Sequence, residues 1–320
     1  MKALVTGAAG FIGSCLTEEL LRRGADVTCL VRPSTNLRWL EHSGVNYIVC
    51  DLADLSPCAG SIRGFDYIFH LAGLTKAVAE KDFFSANADC TRSLIKVIAQ
   101  NNPDLSRFVY MSSLAAAGPS LDGVPVNEKL EPRPVSAYGR SKLEGERAVL
   151  EYSDRLPVTI IRPPAVYGPR DADFLVMFRM IKNRVFPYWG EGRYSMLFVN
   201  DLVNGILLSS EHKTAGGKVY YLSDNIVYTN DDIANEIMSA LETKAFKLRL
   251  PGSLMPLAAL IGEKITKKGI INSDKIKELR YSNWTCDAGS AMGDLGFRPK
   301  ITLREGIKWT ADWYRIHRWL

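Results

Sequence analysis

The sequence predicts an α/β fold: a doubly wound parallel sheet covered by helices on both faces, with a smaller, interleaved C-terminal lobe. Three observations predict it. Short apolar or β-branched runs alternate with helical patterns through the first half of the chain, as parallel strands joined by crossover helices require. Three glycines, Gly7, Gly10 and Gly13, stand three apart where the first strand hands over to the first helix. And 320 residues with 47 % hydrophobic content can bury a core for one or two domains.

In chain order, Ala3–Val5 reads as a strand and Phe11–Leu21 as a helix that ends before Gly24. Further strands are expected at Val27–Val31, Tyr47–Cys50, Tyr67–Leu71, Arg107–Met111 and Val158–Arg162. The clearest helices between them are Ser85–Gln100 and Ala137–Tyr152. From Gly168 the pattern loosens into Pro-, Gly- and Trp-containing segments. A helix at Asp201–Ser209 and a strand at Lys218–Leu222 then return the chain to the sheet, and a helix at Asp231–Leu241 precedes a Trp-rich tail. The division that follows is a cofactor domain of residues 1–167 with a return segment 201–225. Residues 168–200 and 226–320 form the substrate-binding lobe.

The bulk numbers exclude several classes. A net charge of +5 is mild, 23 % charged residues leave no disordered tract, and no nucleic-acid signature is present. The run "KITKK", Lys264 to Lys268, reads as a solvated helix face. Six cysteines, at 15, 29, 50, 58, 90 and 286, show no pairing rhythm, so buried free thiols in a reducing compartment are expected. Four scattered histidines have no metal-ligand spacing. No signal peptide and no membrane-length apolar run is visible, which predicts a soluble cytoplasmic protein with a small-molecule substrate. The segments "DADFLVMFRMIKNRVFPYWGEGRYS" and "LPGSLMPLAALIGEKITKK" read as core plus an apolar pocket rather than as a membrane contact.

The chemistry starts at "LVTGAAGFIGSCL". Glycine lowers helix propensity, so three at a helix start need a reason beyond one tight turn. A dinucleotide pyrophosphate supplies it, because bare N–H groups at a helix N-terminus hold anions and a glycine permits close packing on the sheet. At the end of the second expected strand stands Arg32, where an acid would bind a free ribose 2′-hydroxyl. A guanidinium there suits a 2′-phosphate, so NADP is favoured and NAD stays open. Asp51, at the tip of the third strand, suits the adenine amino group or a cap on the next helix. His70 reads as a strand-end histidine. Tyr138 and Lys142 form the chain's single Tyr-x-x-x-Lys and share a helix face. A nearby ammonium lowers a phenol's pKa and makes it a usable acid or base. Ser112 and Ser113 end the fifth strand, where a hydroxyl can hold a substrate oxygen.

The motifs "TGAAGFIG", "DLAD", "HLAG", "SSLAAAG", "YGRSK", "RPPAVYGPRD" and "FVNDLVNG" arrive in order and cover nearly the whole chain. In them the sequence resembles the extended short-chain dehydrogenases/reductases of the NAD(P)-dependent epimerase/dehydratase superfamily, with a Rossmann-type fold. The resemblance implies Gly7, Gly10, Phe11, Ile12 and Gly13 at the pyrophosphate, Asp51 and Leu52 at the adenine, and Leu71, Ala72 and Gly73 along the middle of the cofactor. It adds Asn87, Pro163 and Val166 as cofactor contacts, and Ser113, Tyr138 and Lys142 as the catalytic set, with Ser112 in reserve for Ser113. Tyr138 and Lys142 also reach the cofactor.

Departures narrow the activity. Leu114 and Ala115 stand where 4,6-dehydratases carry an Asp-Glu pair. Ala165 stands where many nucleotide-sugar epimerases carry an asparagine, and the double-proline form looks like dihydroflavonol-reductase and 3β-hydroxysteroid-dehydrogenase relatives. The resemblance therefore implies an oxidoreductase acting on a secondary alcohol or ketone. A nucleotide-sugar epimerase and a non-catalytic cofactor-binding sensor or scaffold are the alternatives. A homodimer is implied too, through Ser85–Gln100 and Ala137–Tyr152, with Leu94, Ile98, Val149 and Leu150 on offer.

Overall fold

The computed structural model describes residues 1–41, 44–188, 190–251 and 273–320. Its central sheet contains β1 (Lys2–Thr6), β2 (Asp26–Val31), β3 (Asn46–Val49), β4 (Tyr67–His70), β5 (Arg107–Met111), β6 (Val158–Arg162) and β10 (Lys218–Tyr221). All neighbours in it are parallel, in the order β10-β6-β5-β4-β1-β2-β3. Strand order runs outward in both directions from the β1–β4 pair. That reversal opens a crevice at the strands' C-terminal ends, the place where such sheets take ligands.

Helices cover both faces. On one, α1 (Phe11–Arg22) and α7 (Val199–Glu211) pack with Val5, Cys29 and Phe69. On the other, α3 (Cys90–Asn101) and α5 (Ala137–Leu150) pack with Leu4, Phe108 and Ile160. Every expected strand and helix is present, with ends shifted by a few residues. The expected helix Ser85–Gln100 differs in kind. It starts earlier, as α2 (Glu80–Phe84), passes through a π-helical turn at Ser85–Asp89, and only then becomes α3. The wide turn carries Asn87, which is fully buried.

The rest of the chain builds smaller layers. Strand β7 (Ala165–Tyr167) pairs with β9 (Arg193–Phe198), which also pairs with β11 (Val227–Thr229) and β13 (Asn283–Trp284). A two-stranded sheet joins β8 (Val185–Tyr188) to β12 (Phe246–Arg249). Between them lie α4 (Leu114–Ala117), α6 (Phe174–Lys182), α8 (Asn230–Ala240), α9 (Ser273–Leu279), α10 (Gly289–Asp294) and α11 (Leu303–Ile316). Phe178, Phe198, Ile237 and Tyr314 centre this second core.

Two expectations are corrected. Cys50 and Cys58 form a disulfide with their Cα atoms 6.3 Å apart, because the turn after β3 folds the chain back on itself; the other four cysteines are free. Leu94, Ile98 and Val149 are fully buried against the sheet and offer nothing to a partner. The run Lys264–Lys268 and most of the second cap segment lie outside the described residues. No helix among the described residues is long and apolar enough to cross a membrane.

Candidate active site

The glycine turn after β1 behaves as a cradle. Gly7 has φ +71, and a Cβ there would stand 2.6 Å from the Ala72 nitrogen. A Cβ on Gly13 would stand 2.1 Å from the Gly7 carbonyl. So the close approach that dictates these glycines is internal: β1, β4 and α1 converge there. Helix α1 is capped by Gly10, with no side-chain bond at its N-terminus and no acid in its first turn. The N–H groups of Phe11 and Ile12 point out of a twelve-residue helix with no cap of their own, which fits a pyrophosphate. The residues present therefore fit a dinucleotide.

Most of the other expected contacts follow the C-terminal ends of β2, β3, β4 and β6. Arg32 is exposed at the end of β2, and its charge and that of Asp51 both reach Cys90. Asp51 accepts from the Ala53 N–H at 3.0 Å, a turn cap that leaves its second oxygen outward. Leu52 packs against the second face of the sheet. Leu71 and Ala72 are half-buried, and Gly73 is exposed close to the Lys142 ammonium. Asn87 spends its amide on the backbone of Leu74, at 2.8 and 2.9 Å, and on Ser141. It ties the loop after β4 to α5 from beneath. Pro163 is buried, whereas Pro164, Ala165 and Val166 line the cavity next door.

That cavity, about 500 Å³, is bounded by Ser113 and Tyr138 on one side. Phe174, Met177, Tyr194 and Trp284 are among its other walls. Ser113 and Tyr138 line it together, and Phe83 packs on the tyrosine ring at 6.0 Å. Ser112 faces the other way and donates to Glu146. The two serines point to opposite sides because they follow an extended strand.

The expected lowering of the Tyr138 pKa is not what the structure shows. Burial pushes the phenol up to about 12, with the Ser113 hydroxyl lowering it and the Glu278 charge raising it further. Lys142 is instead aimed at the Met111 carbonyl at 2.7 Å, and burial brings it down to about 8. Tyr138 thus holds its proton at neutral pH, the state a donor needs. His70 is fully buried between Thr6 and Thr91, which pushes it down to about 3.

Several residues escaped the sequence reading. Glu146 makes a buried two-point ion pair with Arg162, at 2.8 and 2.6 Å, beneath Lys142. Its place one turn beyond Lys142 in "YGRSKLEGE" was the available signal. Asp171 lines the cavity with its carboxyl raised to about 7, mainly by burial. Lys76, after β4, pairs with Asp173 across the cavity mouth. Asp274 and Glu278 reach the site from far along the chain, with no local signal. A wider, open depression lined by Arg184, Asn235, Ser239 and Glu242 holds none of the expected site residues.

Comparison with known proteins agrees with this geometry. The chain is 28 % identical to a ceramide reductase of Caulobacter vibrioides, over 99 % of this chain and 95 % of that one. It is 27 % identical to a 4-hydroxy-2-methyl-3-oxo-4-farnesyl-3,4-dihydroquinoline-1-oxide ketoreductase of Stigmatella aurantiaca, over 96 % and 95 %. Among solved structures, MoeE5 in complex with UDP-glucuronic acid and NAD matches with a TM-score of 0.80 and 25 % identity, covering 99 % of this chain and 100 % of that one. Residues 3–223 match the model of the NAD dependent epimerase/dehydratase family, and the chain belongs to that family.

Proposed function

We propose that this chain is an NAD(P)-dependent oxidoreductase that interconverts a ketone and a secondary alcohol on a largely apolar substrate. One observation carries the reading: Tyr138 and Ser113 meet at one wall of a cavity whose other walls are mainly aromatic and aliphatic. A bound nicotinamide supplies or accepts the hydride. Ser113 holds the substrate oxygen, Tyr138 gives or takes its proton, and Lys142 supports the ribose side from beneath. Leu114 and Ala115 on the cavity wall provide no acid–base pair for an elimination.

The cofactor assignment is part of the proposal. Gly7, Gly10, Phe11, Ile12 and Gly13 take the pyrophosphate, Arg32 a 2′-phosphate, and Asp51 with Leu52 the adenine. Leu71, Ala72 and Gly73 follow the middle of the molecule on the loop that Asn87 ties down. Tyr138 and Lys142 meet the ribose, and Pro163 with Val166 border the nicotinamide. So is the division into a cofactor lobe (1–167 with 201–225) and a substrate lobe, and so are a homodimer and a cytoplasmic location. Cell fractionation checks the last.

The nucleotide-sugar epimerase reading draws on the UDP-glucuronic acid held by a neighbour of the same fold. The cavity counts against it. Of the lysines in its described wall, Lys76 faces Asp173 and Lys275 faces Glu278, and Asp274 adds a further carboxylate. A diphosphate would meet repulsion there. The test is to follow reduced-nicotinamide absorbance with apolar aliphatic and steroid ketones, and to assay UDP-sugars for conversion. Net cofactor oxidation with the ketones is expected. UDP-sugar conversion without net cofactor change would replace the oxidoreductase by the epimerase.

A further inference from the structure

We propose that Asp274 and Glu278 of α9 are positioning residues for Tyr138: together they clasp the first turn of α5 and hold the phenol against the substrate oxygen. The proposal rests on the reading of Tyr138 as the proton-transfer group. Helix α5 starts at Ala137, so the N–H groups of Ala137, Tyr138 and Gly139 have no partner within the helix. Ser136, the local cap, takes the Gly139 N–H at 3.0 Å. The other two go to Asp274, one to each oxygen, at 2.7 and 3.0 Å. The Ser136 hydroxyl then donates to Glu278 at 2.8 Å, so even the local cap is braced from α9.

Both carboxylates are nearly buried, Asp274 at 9 % and Glu278 at 7 % exposure. Buried carboxylates persist where hydrogen bonds and opposite charge compensate them, and here the negative charge also faces the positive end of α5. The same short helix is a wall of the substrate cavity, through Asp274, Lys275, Glu278 and Leu279. The indole of Trp284, on that wall too, donates to the Glu278 carbonyl at 3.1 Å. Pocket wall and proton donor are therefore one mechanical unit.

Among the described residues, the charged and titratable groups around Tyr138 are few. Lys142 lies on its own helix, and Arg140 there pairs with Glu80 of α2. Across the cavity are Asp171 and the Lys76–Asp173 pair, and on α9 the Lys275–Glu278 pair and Asp274, with Lys277 at 3.5 Å from Asp274. Among the charges, Glu278 is the one that raises the phenol's pKa.

Two substitutions separate placement from charge. Glu278→Gln still accepts the Ser136 hydroxyl but removes the negative charge, so Tyr138 gives up its proton more easily. At a fixed pH below the phenol's pKa the phenolate fraction rises more than its basicity falls. The protonated phenol is at the same time a stronger acid, and the reaction equilibrium ties the two directions together, so alcohol oxidation and ketone reduction should both rise about two- to threefold, a gain that a merely structural role would not produce. Asp274→Asn can accept only one of the two N–H groups and turns its amide toward the other. Its kcat should fall about tenfold in both directions, with unchanged NADPH affinity. Tyr138→Phe is the control. If Tyr138→Phe stays active, the reading of Tyr138 fails. If it is inactive while Glu278→Gln shows no such gain and a folded Asp274→Asn keeps the parent kcat, the clasp alone is overturned. Should Asp274→Asn not fold, the Glu278→Gln gain decides by itself.

Discussion

At the scale of the residue, the site depends on one oxygen atom. Tyr138→Phe keeps the ring that packs on Phe83 and removes the hydroxyl that Ser113 influences. Fold and cofactor binding should persist while kcat falls about 10²–10⁴-fold, the usual contribution of a positioned acid. A folded variant that binds cofactor and turns over at the parent rate would end the mechanism. Arg32 carries the second residue-scale prediction. Its exposed guanidinium makes no ion pair among the described residues, so it is available to a 2′-phosphate. Arg32→Ala should weaken NADP(H) by about 10- to 150-fold, the worth of one or two charge-assisted bonds, and leave NAD(H) nearly unchanged. Titration of both nucleotides checks it, and equal losses would refute it. Tyr138 and Lys142 could be paired in the sequence because their spacing is local, whereas the choice of Ser113, 25 residues earlier, came only from the family resemblance. The direction of the Tyr138 shift was not legible. Burial sets it, and burial depends on how far the cavity walls close around the phenol, which no local spacing records.

At the scale of the element, sequence patterns located strands well, because a fully buried parallel strand is a short unbroken apolar run, as in "FVYM" and "VTII". Helices were harder where their interior is polar. Asn87 sits within the Ser85–Asp89 π turn as a buried tie, and a periodicity argument has no place for an inward asparagine. The same limit misjudged the outer faces of α3 and α5. Their large apolar residues face the sheet. Arg92, Lys96, Arg147 and Glu151 are exposed, and Val97, Leu143, Glu144 and Leu150 are half-buried. Paired across a two-fold axis, these faces would bring exposed charges of both signs around a rim of half-buried aliphatic groups. Sedimentation at micromolar concentration should therefore show a dimer that loosens as salt is raised. A monomer at low salt would reject pairing through these helices.

At the scale of the whole molecule, the contacts between the sheet and the later layers decide how the protein unfolds. Phe11, Ile12 and Cys15 of α1, the helix that carries the pyrophosphate cradle, also pack against the second core. Arg170 reaches back to Ser14 and Glu18, at 3.0 and 2.5 Å. The ring of Trp39, after β2, lies 5.6 Å from Trp313 and 6.4 Å from Trp319 in the C-terminal tail. Asp274 and Glu278 add the clasp on α5. Contacts of this density spread over several elements favour one cooperative transition rather than two. A nucleotide that binds the native crevice should then stabilise every layer together. At a hundred times its dissociation constant it contributes about 2.7 kcal/mol, which for a chain of this length moves the melting temperature by roughly 4 °C. Differential scanning calorimetry with NADPH should show a single peak that shifts as a whole. Two peaks, only one of them responding to NADPH, would mean that the cradle and the second core unfold independently, and that the packing of α1 on both does not couple them.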